Sequence, residues 1–238
     1  MPPPAILTRS LLPLDAAIVD LDGTMVDTLG DFHAALTRTL AELGLPGIGA
    51  DAIETMVGKG SEHLLRSVLN HVLVLENQAQ TAIKIEALMP AAWAAYQRHY
   101  LDINGQCSAV YPGVVEGLTT LRARGLRLAC LTNKPTAFAR PLLAAKGLDG
   151  FFEQVFGGDA FERKKPDPLP LLKTCEALGT QPAATLMVGD SQNDALAARA
   201  AGCPVALVTY GYNHGEPIAS APHDALVDSL ASVPALLA

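Results

Sequence analysis

The 238-residue sequence has few of the features that mark a disulfide framework, a zinc site or a membrane protein. Its four cysteines form no CxxC pair, and their spacing fits neither a zinc site nor dense disulfides. Cys130 and Cys203 lie in apolar runs and are expected to be small core residues. No run of about 18 apolar residues is present, so we expect no membrane span. The N-terminal MPPPAILTRSLLPL lacks a basic segment and is not expected to be a signal peptide.

The sequence also lacks a long basic run. Its 17 Lys and Arg against 24 Asp and Glu give a formal net charge of −7, which offers no electrostatic basis for binding nucleic acid. Hydrophobic residues make up 50% of the chain, enough for one sizeable core or two packed units. We therefore expect a soluble protein of a reducing cytoplasm, monomeric or homodimeric, that binds neither membrane nor nucleic acid.

Short apolar runs followed by turn residues predict buried parallel strands. The predicted strands cover residues 16–20, 126–132, 154–156, 185–189 and 204–209. The helical patterns that separate them cover residues 113–124, 136–146, 168–178 and 194–201. This alternation predicts an α/β fold with helices on both faces of a parallel sheet, and a site at the carboxyl ends of the strands.

One long stretch, from about residue 28 to residue 110, interrupts this alternation. It contains amphipathic helical patterns at residues 28–43, 51–57, 61–75 and 78–101 and no convincing strand. Pro112 and Gly113 then form a strong break at the return to the sheet. We therefore predict an α/β core of residues 1–26 and 109–238, with a helical unit of residues 27–108 inserted after the first strand.

Polar residues stand at the ends of four predicted strands or just after them, in DLDGT, LTNK, ERKKPDP and VGDSQND. In a doubly wound sheet these positions converge on one crevice. Asp20, Asp22 and Asp190 would bring three carboxylates there, which cannot all ionise close together without a cation. Hard oxygen ligands without His or Cys favour Mg²⁺.

A magnesium ion beside a lysine forms a receptor for a phosphoryl group, whose transfer is catalysed largely by positioning and charge neutralisation. The hydroxyl of Thr132, the amide of Asn133 and backbone N–H groups could hold the remaining phosphate oxygens. An aspartate can also attack phosphorus, and the resulting aspartyl-phosphate divides one difficult step into two. The pattern therefore favours phosphoryl-group chemistry.

The segments DLDGTMVDT, LTNK, KKPDP and VGDSQND resemble the four ordered motifs of the haloacid dehalogenase superfamily, in its magnesium-dependent phosphatase branch. The similarity covers nearly the whole chain. It implies a Rossmann-like core with a helical cap inserted between the first two motifs, in agreement with the helical unit inferred above. Met25 stands where leucine is commoner, a tolerated change that affects nothing catalytic.

The resemblance implies roles for the aspartates. Asp20 would be the nucleophile that forms the aspartyl-phosphate. Asp22 would be the general acid that protonates the leaving alcohol and then the base that activates water. That role needs a carboxyl group protonated near neutral pH, which burial and neighbouring carboxylates could supply. Magnesium would be held by the carboxylates of Asp20 and Asp190 and by the backbone carbonyl of Asp22.

The remaining motif residues would bind phosphate or support those that do. The resemblance implies that Thr132 and Asn133 bind phosphate oxygens and that Lys165 neutralises charge on the nucleophile and the phosphate. Lys165 is preferred to Lys164 because the family's lysine directly precedes a proline. Asp194 would orient the metal's water molecules or Lys165.

Three further segments, at residues 27–46, 56–69 and 208–218, resemble the phosphoglycolate phosphatase family. Caps in the superfamily close over the site, exclude water and choose the substrate. Lys59, between two glycines, could pair with the carboxylate of 2-phosphoglycolate, although a solvated loop lysine is the alternative interpretation. The expected partner is thus a small phosphorylated metabolite.

Other functions remain open on these motifs. Another small phosphate ester could be the substrate, and a β-phosphoglucomutase-like phosphomutase would use the same aspartate pair while protecting the aspartyl-phosphate from water. A dehalogenase is disfavoured because that branch lacks the second aspartate, here Asp22. A response-regulator receiver also has an acidic magnesium pocket with Asp, Thr and Lys, but the DxDGT order and the helical insertion are foreign to it.

Overall fold

The structure is a computed structural model that describes residues 13–73 and 78–237. The segment predicted not to be a signal peptide lies mostly outside the described residues, as does the end of the helix predicted at residues 61–75. The strands are β1 (Ala16–Val19), β2 (Val26–Asp27), β3 (Ala109–Val110), β4 (Arg127–Leu131), β5 (Gln154–Phe156), β6 (Thr185–Gly189), β7 (Val205–Val208) and β8 (Ala225–Val227). The α-helices are α1 (Leu29–Glu42), α2 (Ala50–Glu54), α3 (Ser61–Val72), α4 (Gln78–Ile103), α5 (Val114–Ala123), α6 (Thr136–Ala145), α7 (Leu169–Leu178) and α8 (Gln192–Ala201).

The main sheet has six strands in the order β5-β4-β1-β6-β7-β8, and every neighbouring pair is parallel. The predicted α/β fold is therefore confirmed. In the register of the central strand, Val19 lies opposite Cys130 of β4 and Val188 of β6. Because all three strands run the same way, the residues that follow them emerge side by side at the carboxyl edge of the sheet.

Two features of the sheets were not predicted from the sequence. β8 is a three-residue strand at the sheet edge, and β2 and β3 pair antiparallel over two residues each, with Val26 opposite Val110. The two-residue strands β2 and β3 carry too few residues for a pattern to be recognised. The β2–β3 pair joins the segment that leaves the sheet for helices α1–α4 to the segment that returns from them.

Helices α1–α4 and the described residues between them, which together we call the helical segment, bury a hydrophobic cluster of their own. Tyr96 and Tyr100 of α4 are fully buried in it. Phe138 of α6 joins the same cluster, with its ring centroid 4.8 Å from that of Tyr100. The helical segment therefore packs directly against the sheet unit just beyond β4.

The sheet has two further clusters, which contain Cys130 and Cys203 respectively. Both thiols are buried, so the expectation that they are core residues is confirmed. None of the helices in the described part of the chain combines the length and the hydropathy required to cross a membrane.

Candidate active site

A small cavity lies where the carboxyl edge of the sheet meets the helical segment. Its volume is about 20 Å³, which is room for about one water molecule. The sheet side and the helical segment both line it. The lining residues are Asp20, Asp22, Thr132, Asn133, Lys134, Asp190, Ser191 and Tyr212 on the sheet side and Phe32, Val57, Gly58, Gly60, Ser61 and Leu64 from the helical segment.

Three carboxylates gather at this edge. One carboxylate oxygen each from Asp20, Asp190 and Asp194 lies within 4.8 Å of the others. Asp20 directly follows β1 and stays in the ladder through its N–H, which donates to Val188 O at 2.9 Å. Asp190 directly follows β6. The register of the central strands thus produces the cluster, and a group of acids this compact could hold a divalent metal ion.

The carboxylate of Asp190 is held in place by neutral donors. Its Oδ1 accepts from the Thr24 hydroxyl at 2.8 Å, and its Oδ2 accepts from the Tyr212 N–H at 2.6 Å. Gly23 has a φ of +80°, and a Cβ there would lie 2.1 Å from Asp190 Oδ2. A Cβ at Gly211 would also lie 2.1 Å from Asp190 Cβ. Glycine is therefore required on both sides of this acid.

Asp194 already has a full set of protein partners. Its Oδ2 accepts from the Ser191 hydroxyl at 2.8 Å and from the N–H groups of Ser191 and Asp190 at 3.2 and 3.3 Å. Its Oδ1 accepts from Lys165 Nζ at 2.7 Å. The carboxylate closes a capping box at the start of α8. Its contacts therefore join the Lys165 ammonium to the backbone of Asp190 and Ser191, and its orienting role stays a prediction.

Lys165 brings the positive charge to the cluster. Its Nζ donates to Leu131 O at 2.8 Å and lies 3.0 Å from Asp20 Oδ1, close enough for an ion pair but not aligned as a hydrogen bond. Burial opposes its charge, but the carboxylates of Asp194 and Asp20 outweigh that effect and raise the pKa of Lys165. Lys164, in contrast, is exposed. The structure thus brings Lys165, not Lys164, to the acids.

The cluster carries more negative charge than Lys165 alone can balance. Burial raises the pKa of Asp20 to about 7, against the lowering effect of Lys165 and with a further increase from Asp194. Burial and the charges of Asp194 and Asp20 also raise the pKa of Asp190 well above its usual value. Asp20 Oδ1 is buried and has no hydrogen-bond partner among the described residues. The donor set therefore fits a hard divalent cation.

Asp22 lies outside the carboxylate cluster. Its two oxygens accept from Lys134 Nζ at 2.9 and 3.2 Å. The neighbouring carboxylates expected from the sequence are thus replaced by an ammonium group. The same Nζ lies over the rings of Phe32 and Tyr100, at 4.5 and 4.6 Å from their centroids. Lys134 was missed from the sequence, although it stands in the LTNK motif directly after two residues that were chosen.

Thr132 and Asn133 line the cavity as expected, and Asn133 also joins the sheet to the helical segment. Its Nδ2 donates to Lys165 O at 2.8 Å and to Gly58 O at 3.0 Å. Asn193 Nδ2, at the start of α8, donates to the same Gly58 carbonyl at 3.2 Å. Two buried asparagines of the sheet unit therefore hold one backbone carbonyl of the helical segment.

The structure does not bring Lys59 into the cavity, because its side chain is exposed and is not among the lining residues.

Tyr212 links the acid cluster to the chain segment that leads into α1. Its N–H donates to Asp190, while its hydroxyl donates to Asp27 Oδ1 at 2.5 Å and accepts from the N–H groups of Thr28 and Leu29.

Comparison with known proteins identifies the family of this chain. A family model described as haloacid dehalogenase-like hydrolase matches residues 14–202. The phosphoglycolate phosphatase of Thiobacillus denitrificans is 44% identical over 220 residues, covering 92% of this chain and 94% of the relative. The plasmid-encoded phosphoglycolate phosphatase of Cupriavidus necator is 46% identical over 226 residues, covering 95% of this chain and 94% of the relative.

Solved structures show the same fold. A crystal structure of a predicted phosphoglycolate phosphatase from Haemophilus somnus aligns with a TM-score of 0.86 at 32% identity, covering 94% of this chain and 98% of that one. CbbY from Rhodobacter sphaeroides, crystallised in complex with phosphate, aligns with a TM-score of 0.74 at 22% identity, covering 92% of this chain and 96% of that one. At 22% identity, the similarity to CbbY shows a shared fold and nothing about function.

Proposed function

Since the chain belongs to the family of haloacid dehalogenase-like hydrolases, we propose that it is a magnesium-dependent phosphomonoesterase that hydrolyses 2-phosphoglycolate to glycolate and phosphate. The relatives at 44% and 46% identity, both phosphoglycolate phosphatases, support this substrate. The alternatives are a phosphatase of another small metabolite and a phosphomutase that shields its aspartyl-phosphate from water. A cytoplasmic location and a monomeric or homodimeric state stay predictions.

One observation carries the proposal: Asp20 Oδ1 is buried 3.0 Å from the Lys165 ammonium and accepts no hydrogen bond from any residue that the structure describes. An oxygen in this state keeps its lone pairs available for attack on phosphorus. Thr132 and Asn133, which line the same cavity, support binding of the phosphate oxygens. Lys165 then neutralises charge on both the nucleophile and the phosphoryl group.

The proposed reaction has two steps. The Asp20 carboxylate attacks phosphorus while the bond from phosphorus to the ester oxygen breaks, and Asp22, which must enter this step protonated, gives its proton to the leaving glycolate oxygen. Water then attacks the phosphorus of the aspartyl-phosphate while Asp22 takes a proton from it. This second attack releases phosphate and restores the Asp20 carboxylate.

Asp20, Asp190 and the backbone carbonyl of Asp22 would hold the magnesium ion, with Asp194 keeping Lys165 in position. The ion, when bound, supplies positive charge to the carboxylates and the phosphoryl oxygens. Thr24 and Tyr212 fix the Asp190 carboxylate for this task through the hydrogen bonds described above.

We also propose that residues 27–108 act as a cap over a core of residues 1–26 and 109–238. The cavity of about 20 Å³ holds about one water molecule, which is less than a phosphate group requires. Substrate entry therefore needs the helical segment to move away from the strand ends. Its return would exclude water from the reacting groups.

The deciding experiment is phosphate release by the purified protein with and without Mg²⁺. The substrates are 2-phosphoglycolate, a hexose phosphate, a nucleoside monophosphate and phosphoserine. Magnesium-dependent release that strongly favours 2-phosphoglycolate is the expected result. Preference for another ester would refute the proposed substrate but not the chemistry. No release from any ester, with conversion of a hexose phosphate to its isomer, would establish the mutase instead.

A further inference from the structure

We infer that Lys134 binds the carboxylate of the substrate and thereby selects phosphate esters with a carboxylate one carbon from the ester oxygen. This inference rests on the proposed function, because it assigns a residue to the acid group of 2-phosphoglycolate. The geometry that points to it is a buried ammonium group that lines the cavity beside Asp22.

The ammonium of Lys134 has an N–H donor left for a second partner. Its side chain has no exposed surface. Among residues 13–73 and 78–237, the hydrogen-bond acceptors found for it are the two oxygens of Asp22. An ammonium has three N–H donors, and ring faces attract the charge without accepting a conventional hydrogen bond. Lys134 can therefore contact Asp22 and a second carboxylate at the same time.

Its position is held from both sides of the cavity. Asp22 lies on the sheet side, while the rings of Phe32 and Tyr100 belong to α1 and α4 of the helical segment. The ring contacts form only when the helical segment lies against the sheet. These contacts would therefore hold the cation when the helical segment closes again over bound substrate.

The covalent geometry of the substrate matches this position. A general acid must lie about 3 Å from the leaving oxygen, so in the proposed reaction the ester oxygen sits beside Asp22. In 2-phosphoglycolate the carboxylate oxygens are on the order of 3 Å from that ester oxygen, because three bonds of about 1.2–1.5 Å separate them. Lys134 Nζ is 2.9 Å from Asp22 Oδ1. The substrate carboxylate is thus within reach of the ammonium.

The other nearby lysines are less suited to this role. Lys165 is committed to Asp194, Leu131 O and the Asp20 charge. Lys59, which the sequence suggested as the carboxylate partner, is exposed and outside the cavity lining, as is Lys164. A carboxylate bound to a buried ammonium is also held more strongly than one bound at the surface.

The test compares two esters that differ only in the acid group, 2-phosphoglycolate and ethyl phosphate. Wild type, Lys134→Met, Lys134→Arg and Lys59→Met are assayed for kcat/KM with Mg²⁺ present. Lys134→Met is expected to reduce kcat/KM for 2-phosphoglycolate roughly 10- to 100-fold more than for ethyl phosphate. Lys134→Arg, which retains the cation, should keep part of the preference. Lys173→Met, on the exposed face of α7, is the matched control.

Binding provides a readout that needs no turnover. In an Asp20→Asn background, calorimetry should show that 2-phosphoglycolate binds more tightly than ethyl phosphate. Adding Lys134→Met should remove that difference. A melting curve of each variant checks its fold, since Lys134→Met leaves the Asp22 carboxylate without its ammonium. If Lys134→Met does not fold, the comparison is made with Lys134→Gln.

The outcomes separate this inference from the proposed function. Equal losses for the two esters would mean that Lys134 only holds Asp22 in place, which would overturn the inference. Loss of preference in Lys59→Met but not in Lys134→Met would overturn it in favour of the loop lysine. If wild type itself shows no preference for 2-phosphoglycolate, the proposed substrate is wrong and the inference fails with it.

Discussion

The two sides of the cavity differ in chemical character. The sheet side supplies three carboxylates, Lys134, the threonine and the asparagine, whereas the helical segment supplies apolar side chains, two glycines and Ser61. Reactive groups thus come from positions fixed by strand register. The helical segment contributes ring faces and one hydrogen-bonded carbonyl, that of Gly58. Changes on the sheet side should therefore stop the chemistry, while changes on the helical side should alter access and KM.

The largest effect should follow from Asp20→Asn. The amide lacks the negative charge of the nucleophile, so kcat for phosphate release should fall about 10⁴-fold or more. Single-turnover assays and phosphate release both measure this change. Asp149→Asn, an identical change at an exposed position, should have no effect. An Asp20→Asn variant that retains full activity would disprove the assignment of chemistry to the sheet side.

Magnesium should stabilise the fold, and more so at high pH. The pKa of Asp20 is raised from 3.8 to about 7. A carboxyl group whose pKa is raised by folding stabilises the folded state while it is protonated. That contribution is complete below pH 3.8 and is lost as the pH rises through about 7. The metal-free protein should therefore be less stable at about pH 8 than at about pH 5.

Mg²⁺ at a concentration a hundred times its Kd should increase the free energy of unfolding by about 2.7 kcal/mol. Thermal melting with Mg²⁺ or with EDTA, at both pH values, measures the effect. The increase in Tm should be larger at the higher pH and should shrink in Asp190→Asn, which removes one of the proposed ligands. An increase of equal size at both pH values would contradict the link to carboxylate ionisation.

On the helical side, Gly58→Ala should weaken closure. Gly58 has a φ of +110°, and a Cβ there would lie 3.1 Å from His214 Cε1. The backbone strain of about 1–2 kcal/mol should displace the carbonyl that the two asparagines hold, raising KM about tenfold with a smaller change in kcat. Gly44→Ala is the matched control, since its φ is +66° and its Cβ would meet no atom within 4 Å. It should cost stability and leave KM unchanged.

The smallest effect should come from Asn193→Ala. This change removes one of the two hydrogen bonds to Gly58 O while Asn133 keeps the other. A single bond contributes about 1 kcal/mol, so KM should rise about fivefold. The neighbouring Gln192→Ala, at an exposed position, should change nothing. If Asn193→Ala lowered kcat instead of raising KM, the assignment of the Gly58 contact to closure of the helical segment would not hold.

Much of the sheet side could be predicted from the sequence. Buried parallel strands are short apolar runs, and polar residues directly after them must emerge at one edge. Asp20, Thr132, Asn133 and Asp190 were identified on that basis, and the family model confirms the resemblance from which their roles were taken. Those roles, and the division into core and cap, stay predictions.

The sequence by itself determined the α/β fold and the meeting of Asp20 with Asp190, because short apolar runs are local patterns and the residues that follow parallel strands share one edge of the sheet. It placed Asp22 in the same cluster, whereas the structure has Asp194 there and pairs Asp22 with Lys134. Only the tertiary structure decided that Lys134, and not Lys59, lies in the cavity. Lys134 and Asp22 are 112 residues apart, and the rings over the ammonium come from helices whose packing onto the sheet no local pattern encodes. Side-chain contacts between the sheet and the helical segment depend on how the two pack together, which is a property of the whole chain.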